Sequence, residues 1–95
     1  MYALIREYKN LDPTMRENVT RKASTELRPI LSKTQGFVSY ELLTPQDDQN
    51  AVTSISVFKT RADAEASHKV AEDWVRENLP EMTKPRKLAG EMMNH

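Results

Sequence analysis

Cysteine is missing from this sequence, which excludes a disulfide framework, a thiolate zinc site and a thiol nucleophile. Glycine occurs only at Gly36 and Gly90, too few to build a glycine-rich phosphate-binding loop. Histidine is equally scarce. His68 and His95 lie far apart in the chain, His95 reads as a solvated end, and a metal centre needs three or four converging ligands, so none is expected. There is no excess of one charge either: 14 Lys and Arg balance 14 Asp and Glu. That balance argues against a nucleic-acid surface and against a polybasic membrane patch. No apolar run approaches the ~18 residues of a membrane span, and the apolar stretch in residues 1–6 is too short for a signal-peptide core. The expectation is one cytoplasmic domain over residues 1–95, with neither nucleic acid nor membrane as partner. Hydrophobic residues make up 38% of a short chain, so its stability is expected to need help from self-association.

Alternating apolar positions and β-favouring Tyr2, Ile5 and Tyr8 predict a first strand over residues 2–9. Asp12 before Pro13, or Thr14 with Glu17 as a capping box, then opens a helix. Met15, Val19, Ala23, Leu27 and Leu31 form its apolar arc, joined by Ile30, with Glu17, Arg21, Ser24 and Arg28 opposite. Pro29 interrupts this pattern and predicts a kink, and Gly36 supplies a left-handed cap. Strands are expected over 37–43 and 51–59, joined by the polar stretch 44–50. A second helix over about 61–79 has a buried arc of Ala64, His68, Val70, Ala71, Trp74, Val75 and Leu79. Its solvent arc carries the expected ion pairs Glu65–Lys69 and Glu72–Arg76. Residues 87–93 complete the chain as a last strand.

The order β-α-β-β-α-β is the ferredoxin-like plan: an α+β fold, an antiparallel sheet and helices on one face only. Several strand positions are apolar on both sides, such as Leu4 with Ile5, Leu42 with Leu43 and Met92 with Met93. A two-sided apolar sheet covered on one side implies a homodimer through the open face. Single-strand RNA readers of this plan need aromatics and glycine on the third strand, and residues 51–58 offer one aromatic and no glycine. His68, on the inner arc beside Ala64, Ala71 and Val75, has two readings. It is a general acid/base near neutral pH, or a helix-flank histidine satisfied by a carbonyl and water. Trp74 is a core anchor or a substrate-stacking wall. Ser67 and Asn78 either line a polar pocket or pack at its rim. Arg6 and Tyr8 share a strand face that would line either a cavity beneath the helices or a subunit seam. The five methionines read as adaptable packing.

The run Gly36-Phe37-Val38-Ser39-Tyr40-Glu41-Leu42 resembles the Gly-Phe-x-x-Tyr-x-Leu start of the second strand in the antibiotic biosynthesis monooxygenase (ABM) family. Phe58-Lys59-Thr60-Arg61 followed by His68 resembles that family's aromatic-x-Ser/Thr…His run. The resemblance implies a dimeric α/β barrel with a pocket in each protomer between sheet and helices. It further implies a cofactor-independent monooxygenase of quinol-, anthrone- or polyketide-like aromatics, with His68 as the proton-transfer group. Trp74, Phe58 and Tyr8 would shape the pocket, and Arg6 would face developing negative charge. Phe58 stands where the family often carries tryptophan. Two alternatives remain beside this reading: a non-catalytic dimer that binds a small hydrophobic ligand or serves a structural role, and a cofactorless isomerase.

Overall fold

The computed structural model describes residues 1–82 and 84–93; His95 lies outside them. The chain runs through β1 (Tyr2–Tyr8), α1 (Pro13–Lys22), a π-helical turn at Ala23–Leu27, α2 (Arg28–Ser32), β2 (Phe37–Leu43), β3 (Val52–Phe58), α3 (Arg61–Asn78) and β4 (Arg86–Glu91). All strand pairings are antiparallel, in the order β2-β3-β1-β4, so the two central strands are β3, rich in β-branched residues, and β1. This open sheet is the ferredoxin-like unit of the dimeric α/β-barrel fold class. The barrel is not closed within one chain.

Local chemistry accounts for the helix starts. The Asp12 carboxylate accepts from the Met15 N–H at 2.8 Å and Pro13 occupies the first helical position. Thr60 does the same for α3, accepting from the Asp63 N–H at 3.1 Å. The expected kink at Pro29 is instead a widened turn, in which Arg28 N–H donates to the Ala23 carbonyl five residues back. Widening accommodates a residue that has no N–H to donate and whose ring would crowd the preceding turn. It also alters the apolar stripe. Residues four apart advance about 40° per step on a regular helix, and a turn holding more residues takes up that drift. Val19, Ala23, Leu27 and Leu31 therefore all stay buried, whereas Ile30 turns out to solvent rather than joining them.

Gly36 closes this helical arm with φ 75°, the left-handed region. A Cβ there would also overlap the Asp63 carboxylate of α3, so two separate constraints exclude a side chain. Val19, Ala23, Leu27, Leu31, Tyr40, Ala71, Trp74 and Leu79 form the main core between helices and sheet. A second cluster of Tyr8, Leu11 and Val52 continues it, with Met15 and Met82 packed against it. Met1, Met92 and Met93 are exposed, and β4 ends before the last two, so the packing role fits only part of the methionine set.

Two other expectations need correction along α3. Val70 falls at the edge of the buried stripe and is exposed, while Ser67 is buried and donates to the Ala64 carbonyl. The ion pairs are Arg61–Glu65 at 2.8 Å and Arg76–Asp73, together with contacts of Glu72 to His68 and Lys87. Glu72 contacts Lys87 on β4, while Arg76 of its own helix is taken by Asp73.

Candidate functional site

Strand alternation sends Arg6 and Tyr8 toward the helices, and pairing of Arg6 with Ser54 and of Tyr8 with Val52 puts polar and apolar groups side by side there. Tyr40 and Leu42 of β2 project from the same face. With Val19, Ala23 and Leu27 on one side and Ala71, Trp74, Val75 and Leu79 on the other, they surround a narrow internal space of about 20 Å³. That is room for about one water molecule. The space borders an outer cleft of about 350 Å³, the two sharing Arg6, Tyr8, Val75 and Leu79. Pro80, Met82 and Pro85 give the cleft apolar walls, and Glu72, Arg76, Lys84 and Lys87 surround its mouth. The outer volume is in the range of small-molecule sites.

Arg6 is 5% exposed, and no carboxylate among the described residues comes within ion-pair distance of it. Its side-chain partner is His68: Arg6 Nη2 donates to His68 Nδ1. A guanidinium has no acceptor, so this bond assigns the lone pair to Nδ1 and the proton of the neutral ring to Nε2. Nε2 then donates to Glu72 Oε2 at 3.2 Å. Lys87 Nζ lies 3.0 Å from the same carboxylate oxygen and 3.5 Å from Nε2. With Nε2 protonated, His68 and Lys87 both donate to Glu72 rather than to each other.

Electrostatics follow this chain. Burial lowers the His68 pKa from its ordinary value, and the adjacent Arg6 guanidinium lowers it further, with Glu72 opposing and Lys87 adding a smaller depression. Glu72 is held below the usual carboxylate range, first by the Lys87 hydrogen bond. Burial lowers Arg6 against the pull of Tyr8, Tyr40 and Glu72. Burial pushes the Tyr40 phenol up to about 12 and Tyr8 upward, each opposed by Arg6. At neutral pH the site thus holds a charged guanidinium, a neutral imidazole and two neutral phenols. Such a set can stabilise an oxyanion through Arg6 and accept a proton at Nδ1 once Arg6 moves away.

The structure brings Arg6, Tyr8 and Trp74 together and leaves two expected residues outside the lining. Trp74 borders the narrow internal space but not the outer cleft. His68 lies behind the mouth, joined to it through Arg6 and Glu72. Phe58 is fully buried, packs edge-on against Phe37 with ring centres 6.0 Å apart, and borders neither space. Asn78 donates to the Trp74 carbonyl and Ser67 to that of Ala64, so neither opens into the site. Sequence reasoning did not single out Tyr40, Ser54, Glu72 or Lys87 as site residues. Glu72 left a signal, four residues after His68 and therefore on the same helix face, as did Tyr40 within the quoted strand motif and Ser54 as a small polar position on its strand. Among the described residues no cluster of three or more His, Asp or Glu could hold a metal ion.

Solved structures share this arrangement of chain. A monooxygenase from Streptomyces coelicolor, ActVA-Orf6, solved with nanaomycin D, superposes with a TM-score of 0.77 at 15% identity, covering 99% of this chain and 88% of that one. The Nitrosomonas europaea protein NE2512, of unknown function, gives 0.78 at 14% identity over 99% and 90%. Rv0793 from Mycobacterium tuberculosis gives 0.74 at 13% identity over 99% and 96%. At such identities these likenesses concern the fold. No curated protein sequence matches the chain. The model of the antibiotic biosynthesis monooxygenase family matches residues 1–72, more than half of the length. With that match, and the ferredoxin-like sheet carrying its buried cleft beneath the helices, this chain belongs to the antibiotic biosynthesis monooxygenase family.

Proposed function

We propose that this protein is a cofactor-independent monooxygenase of an electron-rich aromatic small molecule of the quinol, anthrone or polyketide type. One observation carries the reading: a buried guanidinium, Arg6, at the floor of a cleft of suitable size, hydrogen-bonded to a neutral imidazole whose lone pair faces it. For an anthrone-like CH2 group, His68 Nδ1 takes one proton when Arg6 releases it, and Arg6 stabilises the enolate oxygen that forms. The carbanion gives its electrons to dioxygen, forming a C–O bond and a peroxide. Loss of the second C–H proton and cleavage of the O–O bond leave a ketone and water. The substrate supplies all four electrons, so the balance needs no external reductant. Tyr8 and Trp74 shape the cleft and the space behind it, and Phe58 supports the strand from within the core.

The active unit in this proposal is a homodimer paired through the bare sheet face. Half-buried Ala3, Ile5 and Ile55 share that face by strand register, and Leu88 beside them is 65% exposed. A second reading, a non-catalytic ligand-binding module, is favoured by the occupation of His68 Nδ1 by Arg6, which leaves no lone pair ready for a proton.

Oxygen uptake by the wild type and His68→Ala, across a panel of quinols and anthrones, tests the choice. Uptake by the wild type alone supports the oxygenase. A wild type that consumes no oxygen but gains thermal stability with the same compounds supports the binding module.

A further inference from the structure

We infer that the ligand of this cleft enters as an anion: an aromatic acid whose carboxylate pairs with Arg6. The inference rests on the reading of the cleft as a small-molecule site, and it does not require that the bound molecule be turned over. The reason is the state of Arg6. Removing a guanidinium from water without a counter-charge is costly. Arg6 is 5% exposed, yet its side-chain partner is a neutral imidazole and not a carboxylate. Glu72, the closest candidate, is already shared by His68 and Lys87. Among the described residues the charge therefore has no carboxylate partner, and Arg6 borders a cleft of about 350 Å³.

The rest of the lining fits the same occupant. Val75, Leu79, Pro80 and Met82 provide an apolar wall for an aromatic body. At the mouth the lining holds three cations, Arg76, Lys84 and Lys87, and one carboxylate, Glu72. Arg76 is matched by Asp73 and Lys87 by Glu72, which among the described residues leaves Arg6 and Lys84 as the excess. An excess of positive potential at the entrance favours an incoming anion. Planar, forked recognition of a carboxylate is also what a guanidinium does best. A consequence follows for the neighbour. When a carboxylate takes the Arg6 N–H groups, His68 Nδ1 loses its donor and becomes free to accept a proton. The anion then does two things at once, pairing with Arg6 and releasing the base.

Titration of the wild-type protein with 1-hydroxy-2-naphthoate and with 1-hydroxy-2-naphthamide tests this, since the two differ chiefly in charge. The acid is expected to bind at least about tenfold tighter than the amide, as a charge-assisted pair would give. Arg6→Met should abolish that difference, because it leaves an apolar side chain of similar length and no charge. Without recourse to any variant, the acid should raise the titration midpoint of the His68 ring in NMR and the amide should not. Equal binding of acid and amide, an advantage for the acid that survives Arg6→Met, or no binding of the acid at millimolar concentration overturns the inference. Oxygen uptake is a separate readout. Tight binding of the acid with no uptake across the quinol and anthrone panel removes the oxygenase and keeps the anion site, whereas uptake with neutral quinols and no preference for the acid does the reverse.

Discussion

Arg6 of β1 and His68 of α3 lock each other in one state across the gap between sheet and helix. The guanidinium donates to Nδ1, which fixes the imidazole as the Nε2–H tautomer, and the neutral ring in turn lets a buried cation survive beside it. Among the described residues neither has a carboxylate to itself, since Glu72 serves His68 from the far side and is shared with Lys87.

The first expected outcome concerns titration. The His68 ring should titrate below the ordinary histidine value, with nitrogen shifts of the Nε2–H tautomer. Arg6→Met should raise the midpoint by removing the adjacent charge, while burial keeps part of the depression. A midpoint unchanged by the substitution would show that Arg6 does not face the ring in solution.

Stability should follow with a defined sign. Because the folded pKa of His68 is depressed, the unfolded chain binds the proton first as pH falls. The contribution is complete above the unfolded value of about 6.5 and is lost as pH drops through the lower folded value. Glu72, also depressed, loses its contribution further down, in the carboxylate range. Urea unfolding between about pH 5 and pH 8 should show the wild type losing stability toward acid, and His68→Gln should show a shallower slope over that window.

Gly36 offers a test of the helix-to-strand junction. Gly36→Ala meets both the φ of 75° and the Asp63 carboxylate, and it should destabilise by more than about 1 kcal/mol. Asp63→Ala in the same chain should recover only the steric part, leaving the strained backbone. Full recovery in thermal or chemical unfolding would mean that crowding alone selects glycine here.

If two copies pair through the open sheet face, a charge at its centre should separate them. Ile55 lies on the middle of that face, between Ile5 and Glu41 in register. Ile55→Lys should convert a dimer into a monomer in sedimentation velocity at micromolar concentration, with the fold intact by circular dichroism. A wild type that sediments as a monomer would remove the barrel from the proposal.

Much of the architecture was legible because it depends on neighbours in sequence. The strand at Phe37–Leu43 matches the expected bounds, and β3 and α3 come within a residue of theirs, since alternation, caps and turn residues act over a few positions. Asp12 over Thr14 as the first cap was open in the sequence and is decided by a single 2.8 Å bond. The kink at Pro29 was legible as a disturbance but not as a widened turn. That solution depends on keeping Leu31 against a core assembled from distant elements.

The candidate site divides in the same way. Arg6, Tyr8, Trp74 and His68 stand out by side-chain chemistry and by the period of their strand or helix, so the sequence by itself marked them and set which face each occupies. It could not say that Phe58 lies in the core away from the cleft, that Glu72 also reaches Lys87 on β4, or that Arg6 meets His68 62 residues away. Those relations depend on how far the helix stands from the sheet and on which strands lie side by side. Only tertiary packing sets such distances, and with them the unpaired charge that gives the cleft its chemistry.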